Sequence, residues 1–118
     1  MMNLFCDEEH ERRFYTMLDQ DRTRDGDRER EAMFYILSGN KELYSHVHEI
    51  YSCQAHRLRP NPLNKLEYMC DSSKDLLRLA LHLYNCSIHH EMAPCDFLGS
   101  LDSRNLRLAL DGMFLRFS

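Results

Sequence analysis

Cysteine and histidine side chains recur in this sequence at spacings that could hold a metal ion. Cys53 is followed three residues later by His56, and Cys86 is followed three residues later by His89. Two such pairs supply the four nitrogen and sulfur ligands of a closed tetrahedral zinc site. The established zinc motifs, however, pair Cys with Cys and His with His. We therefore keep a zinc-stabilised module as the alternative hypothesis and expect a protein without a cofactor.

Nucleophilic catalysis by cysteine needs a neighbouring base and a third group that orients the base. Cys95 lies close in sequence to His89 and His90 and is the best candidate for such a nucleophile. No glycine-rich phosphate loop, dinucleotide fingerprint, serine elbow or His-Glu-x-x-His motif accompanies it. A small Cys-dependent enzyme is thus a weaker alternative, and we predict no catalytic residues.

The tyrosines and methionines offer a different kind of chemistry, because Tyr, Met and Arg are enriched where proteins meet. Tyr44 and Tyr51 are seven residues apart, so they share one face if a single helix carries both. We predict that these two side chains form an exposed patch that binds a partner.

Capping residues and apolar spacing indicate which elements must position these groups. Asp7, Asp27, Asn40 and Asp102 are N-cap residues that precede segments with helical periodicity. The predicted helices cover residues 8–20, 28–38, 41–51 and 74–85 and the segment after 102, with short helical turns at 63–69 and 94–98. The sequence therefore predicts an all-α fold, a compact bundle of about five main helices in one domain over residues 1–118.

Three segments carry more detailed expectations about burial. The second and fourth main helices are apolar nearly all round, which is typical of central helices. The run 19–31 has no apolar side chain and alternates in charge, so it predicts an exposed connection around Gly26. The last helix is expected to pack through its apolar side, which comprises Leu106, Ala109, Leu110, Met113, Phe114 and Phe117.

Composition and charge restrict the class of protein. The formal net charge of −4 gives no global field that favours nucleic acid or anionic lipid. No apolar run approaches the ~20 residues that cross a bilayer, and the N-terminus lacks the pattern of a signal peptide. The odd number of cysteines, five, favours reduced thiols over a disulfide framework. We expect a cytoplasmic protein that does not associate with membranes.

Several segments resemble a family of short uncharacterised proteins from Firmicutes and their phages and mobile elements. The resemblance rests on residues 5–10 (FCDEEH), 34–40 (FYILSGN), 79–85 (LALHLYN) and 96–102 (DFLGSLD), and on the closing Arg116-Phe117. These segments are mainly helix core, caps and turns, so the resemblance implies a fold and no active site. The phage setting implies a small protein that binds and modulates a host protein.

The sequence as a whole favours a non-enzymatic protein-binding or regulatory protein. An inhibitor of a host defence system, comparable to an anti-CRISPR protein, is the form that the resemblance implies. We expect a bacterial host protein as the partner and disfavour nucleic acid, and a homo-oligomer remains open.

Overall fold

A computed structural model describes residues 4–85 and 98–118 of the chain. Within these residues the chain forms seven helices and one two-stranded sheet. The helices are α1 (Glu8–Asp21), α2 (Arg28–Gly39), α3 (Lys41–Ser45), α4 (Val47–Ile50), α5 (Pro62–Lys65), α6 (Asp71–Asn85) and α7 (Ser103–Phe117). The strands are β1 (Tyr51–Ser52) and β2 (Arg57–Leu58), which lie between α4 and α5. The predicted all-α class is confirmed, with this small hairpin as the one addition in the described part of the chain.

Four helices begin where the sequence predicts, because local side-chain caps satisfy their first backbone amides. Asp7 accepts the His10 amide, and Asp27 accepts the Arg30 amide. The Asn40 and Asp102 side chains cap α3 and α7 in the same way. The helix predicted over residues 74–85 begins three residues earlier than expected, at Asp71.

The central element is α2, which packs against α1, α6 and α7. Every residue from Ala32 to Gly39 is buried, which confirms the prediction of a central helix that is buried on more than one face. Gly39 and Gly112 allow α7 to lie close to α2. A Cβ atom at Gly112 would sit 2.8 Å from Ile36 Cδ1, and one at Gly39 would overlap Leu108.

α6 and α7 run in the same direction along one side of α2. Near their beginnings, Ser100 Oγ donates a 2.6 Å hydrogen bond to Asp75. Near their ends, Arg116 Nε donates a 2.8 Å hydrogen bond to the Leu83 carbonyl. These two contacts connect α6 and α7 at both ends.

The predicted helix over residues 41–51 is present in two pieces, Lys41–Ser45 and Val47–Ile50, and it ends one residue before Tyr51. The chain turns at His46, resumes a short helix as α4, and becomes extended at Tyr51. β1 then pairs with β2 in antiparallel register, with Tyr51 opposite Leu58 and Ser52 opposite Arg57.

None of the described helices combines the length and the apolar character needed to cross a bilayer.

Candidate functional site

The carboxylate of Asp21 is the centre of a buried polar cluster at the end of α1. Asp21 is only 4% exposed, although it belongs to the charged run that was expected to be an exposed connection. Tyr51 donates to its Oδ1 at 2.6 Å, and Thr23 donates to its Oδ2 at 2.6 Å. The expectation of exposure is wrong at Asp21 because these donors replace the water that a carboxylate loses on burial.

Arg30 of α2 adds a positive charge to this cluster, next to the carboxylate of Asp21. Its Nε lies 2.9 Å from the Tyr51 hydroxyl and 3.7 Å from Asp21 Oδ2. Its terminal nitrogens donate to Asp27 and to the His56 carbonyl. Burial opposes the charged guanidinium, but the hydrogen bonds that Arg30 donates to Tyr51 and Asp27 outweigh it and raise the pKa of Arg30. Burial together with Asp21 raises the pKa of the Tyr51 hydroxyl, which therefore remains a donor.

His56 joins the cluster from the turn between β1 and β2. Its backbone adopts the left-handed conformation, with φ of 57°. This geometry places its Nδ1 2.8 Å from Asp21 Oδ1. Because a carboxylate accepts, Nδ1 carries the proton and Nε2 is left as the acceptor of the neutral ring. An oriented histidine of this kind can bind a ligand donor or accept a proton.

Two adjoining cavities border the cluster. One, of about 210 Å³, reaches from Tyr44 and Tyr51 to Cys53, and a more open one, of about 530 Å³, reaches from Cys53 to Asp21 and His56. Burial and the nearby Asp21 raise the pKa of the Cys53 thiol, so at neutral pH this thiol is protonated. A protonated thiol is a weak nucleophile.

The structure describes two of the four residues of the predicted zinc site, Cys53 and His56. Cys53 and His56 lie at the two ends of the hairpin turn, and His56 Nδ1 is bound to Asp21. Cys86 and His89 lie outside the described residues, as do His90 and Cys95. Within residues 4–85 and 98–118, no three Cys, His, Asp or Glu side chains come together to hold a metal ion. The zinc site and the Cys95 nucleophile both stay predictions.

The two tyrosines of the predicted partner-binding patch lie in different environments. Tyr44 is half-buried on α3, and the Arg13 guanidinium stacks 5.0 Å from the centre of its ring. Tyr51 is 3% exposed, and its ring meets Phe34 edge-on. The expectation of a shared exposed face is therefore wrong, because the chain leaves the helix before Tyr51. A role of Tyr44 in binding stays a prediction.

Among the described residues, three of the six exposed large apolar side chains lie together on α7. Leu110, Phe114 and Phe117 are 49%, 72% and 71% exposed, and they follow one another at spacings of four and three residues. We call these three residues the α7 stripe. Of the apolar side that the sequence predicts for this helix, Ala109 is buried, together with Leu108 and Gly112, whereas the three residues of the α7 stripe are exposed.

The apolar residues of the α7 stripe are visible in the sequence, but their exposure could not be predicted from it. After the first turn of this helix, apolar side chains occur on several of its faces, so their periodicity does not select a single buried face. The roles of Asp21 and Arg30 in the buried cluster were not predicted for a different reason. A charged run normally lies in solvent, and nothing local distinguishes these two residues from their neighbours.

Comparison with known proteins gives a family without an assigned activity. No curated protein and no solved structure matches the chain. A family of unknown function, DUF6075, matches residues 1–103, which include α1 to α6 and end at the first residue of α7. The match covers most of the chain, and the protein therefore belongs to the DUF6075 family of unknown function.

Proposed function

We propose that this protein is a non-enzymatic binding protein that inserts the α7 stripe into an apolar groove of a partner protein. The observation that carries the proposal is the exposure of Leu110, Phe114 and Phe117 along one face of α7. Anchors at positions i, i+4 and i+7 are the pattern by which an amphipathic helix fills a hydrophobic groove. Isolated exposed apolar residues need no explanation, but a continuous stripe with two aromatic rings favours a binding surface.

The support of α7 by the rest of the fold favours binding with little loss of conformational entropy. Leu108 and Ala109 are fully buried against the core on the opposite face. Arg104 donates to the Gly39 carbonyl, and Arg116 donates to the Leu83 carbonyl. Because the helix is held at both ends, the anchors are ordered before the partner arrives, which reduces the free-energy cost of binding.

The buried cluster around Asp21 fits a structural role better than a catalytic one. Each oxygen of Asp21 already has partners in Tyr51, His56, Thr23 or Arg30. The neighbouring Cys53 thiol has a raised pKa, whereas a catalytic thiol needs a lowered one. We therefore assign the function of the protein to its surface and not to this cluster.

The resemblance to proteins of Firmicutes, their phages and mobile elements guides the choice of partner. A bacterial host protein in the cytoplasm is the partner that we propose, and a component of a defence system is the form that the phage setting favours. In this role the protein is an inhibitor or regulator. Its net charge of −4 favours a protein partner over nucleic acid.

The test compares three immobilised baits in a bacterial host lysate: the wild type, Phe114→Ser and Tyr68→Ser. Tyr68 is 68% exposed and lies outside α7, so its substitution removes a matched aromatic ring from another surface. We expect a stoichiometric partner that the wild type and Tyr68→Ser retain and that Phe114→Ser loses. Each bait is checked by circular dichroism, and the complex is then rebuilt from the two purified proteins.

Other results would overturn the proposal. A partner bound equally by all three baits would place the binding surface elsewhere on the molecule. Binding of a second copy of this chain, detected by sedimentation and lost in Phe114→Ser, would make the α7 stripe a homo-oligomer interface. Absence of any stoichiometric partner would remove the support for a binding protein of this kind.

A further inference from the structure

His10 is a fully buried histidine whose two ring nitrogens are both hydrogen-bonded. Its Nδ1 accepts the backbone amide of Cys6 at 3.1 Å, and its Nε2 lies 2.8 Å from the Tyr35 carbonyl oxygen. Because a carbonyl only accepts, Nε2 carries the proton and Nδ1 is the bare acceptor. Only the neutral ring in this tautomer makes both bonds.

The Cys6 amide belongs to a short segment, Leu4 to Cys6, that we call the N-terminal latch. The Phe5 ring lies 5.1 Å from the His10 ring and 5.4 Å from the Phe14 ring, between ring centres. The Tyr35 hydroxyl donates to the Leu4 carbonyl at 2.6 Å. These contacts hold the N-terminal latch against α1 and α2.

The N-terminal latch also contacts α7. Arg107 donates to the Phe5 carbonyl at 3.0 Å. Asp7, which follows the latch directly, accepts from Arg104 at 3.0 Å. The latch therefore connects the beginning of the chain to its last helix.

A second proton on the His10 ring has no acceptor in this arrangement. A protonated Nδ1 would face the Cys6 amide, which is itself a donor. Of the charged groups near the ring, Asp7 favours the charged form, whereas Arg104 and Arg107 oppose it. The Tyr35 ring lies 4.5 Å from the His10 ring, between ring centres. Burial is the largest influence and lowers the pKa of His10, although the Tyr35 carbonyl acts in the opposite direction.

We propose that the N-terminal latch is a pH-sensitive switch in which protonation of His10 at Nδ1 breaks the Cys6 hydrogen bond and releases residues 4–6 from α2 and α7. Release would separate the Phe5 ring from the Phe14, Tyr15 and Tyr35 rings that it contacts in the latched state. This inference is independent of the proposed partner binding, because it depends only on contacts inside the chain.

The direction of the pH effect follows from proton linkage. Release opens one side of the His10 ring to water and moves its pKa upward toward the ordinary value of about 6.5, whereas burial holds the pKa of the latched ring lower. The latched state therefore binds fewer protons and is fully favoured above that pH. As the pH falls below it, the opening equilibrium increases about tenfold per pH unit until the latched ring also protonates.

Amide hydrogen exchange at Cys6 measures this opening directly in the wild-type protein. The matched control is the Leu43 amide, which donates to the Asn40 side chain at 2.9 Å and whose acceptor does not titrate. After correction for intrinsic exchange, we expect protection at Cys6 to fall up to tenfold per pH unit below about pH 6.5. Protection at Leu43 should remain constant over the same range.

A second measurement uses His10→Asn, in which the side-chain oxygen can accept the Cys6 amide without titrating. We expect this variant to keep Cys6 protection independent of pH. Constant protection at Cys6 in the wild type would overturn the proposal. A parallel loss at Cys6 and Leu43 would also overturn it, because it would indicate acid unfolding of the whole domain. The wild-type comparison decides the matter even if His10→Asn does not fold.

Discussion

The Tyr51 hydroxyl donates a 2.6 Å hydrogen bond to Asp21 Oδ1 across 30 positions of the chain. The same hydroxyl accepts from Arg30 Nε at 2.9 Å. One phenol thus connects β1 to both α1 and α2. The arrangement explains how a two-residue strand keeps a defined position, since so short a hairpin has little stability of its own.

Removal of this hydroxyl should destabilise the protein. In Tyr51→Phe the Asp21 carboxylate loses a buried donor, which costs about 1–3 kcal/mol of unfolding free energy. Tyr68→Phe removes an exposed hydroxyl and should change the stability by less than about 0.5 kcal/mol. Urea titration of both variants measures the difference. Equal stabilities would mean that water replaces the lost donor at Asp21.

The contact between Gly39 and Leu108 should appear as energetic coupling. A Cβ atom at Gly39 overlaps the Leu108 side chain, so Gly39→Ala should cost about 1–3 kcal/mol through overpacking. The shorter side chain in Leu108→Val should make room and reduce that cost. A double-mutant cycle from denaturant unfolding measures the coupling. Strict additivity would show that the clash is relieved elsewhere.

The two faces of α7 should respond differently to truncation. Phe114→Ser changes a side chain that is 72% exposed and should alter the unfolding free energy by less than about 0.5 kcal/mol. Leu108→Ala on the buried face should cost about 2–5 kcal/mol. Thermal unfolding of the two variants tests this contrast. A large loss in Phe114→Ser would show that the α7 stripe supports the fold itself.

The cysteines should differ in their reactivity. The pKa of the Cys53 thiol is raised by burial and by Asp21, and a higher pKa leaves less thiolate at pH 8. Cys70 is exposed. Iodoacetamide should therefore modify Cys70 before Cys53, as followed by peptide mass spectrometry. Faster reaction of Cys53 would instead revive the hypothesis of a cysteine-based activity.

The zinc hypothesis has its own test. The cluster of apolar side chains around α2 provides a core that needs no metal, so we expect EDTA to leave the melting temperature unchanged. Native mass spectrometry of the untagged protein should show the mass of the bare chain. One bound zinc ion, lost together with stability in EDTA, would favour the alternative module built on Cys53, His56, Cys86 and His89.

The sequence by itself determined the helical class and the beginnings of four helices. Each of the caps at Asp7, Asp27, Asn40 and Asp102 acts on the amide three residues away, so their effect can be predicted from the local sequence. The burial of α2 could also be predicted, because its apolar side chains lie on more than one face of the helix.

Only the tertiary structure decided which polar groups are buried and which apolar groups are exposed. Asp21 and His10 are buried because their hydrogen-bond partners come from elements distant in sequence, at Tyr51 and Tyr35. Phe114 is exposed because close packing at Gly39 and Gly112 turns the other face of α7 toward α2. Such choices depend on the relative placement of whole helices, and the periodicity of a single helix carries no information about that placement.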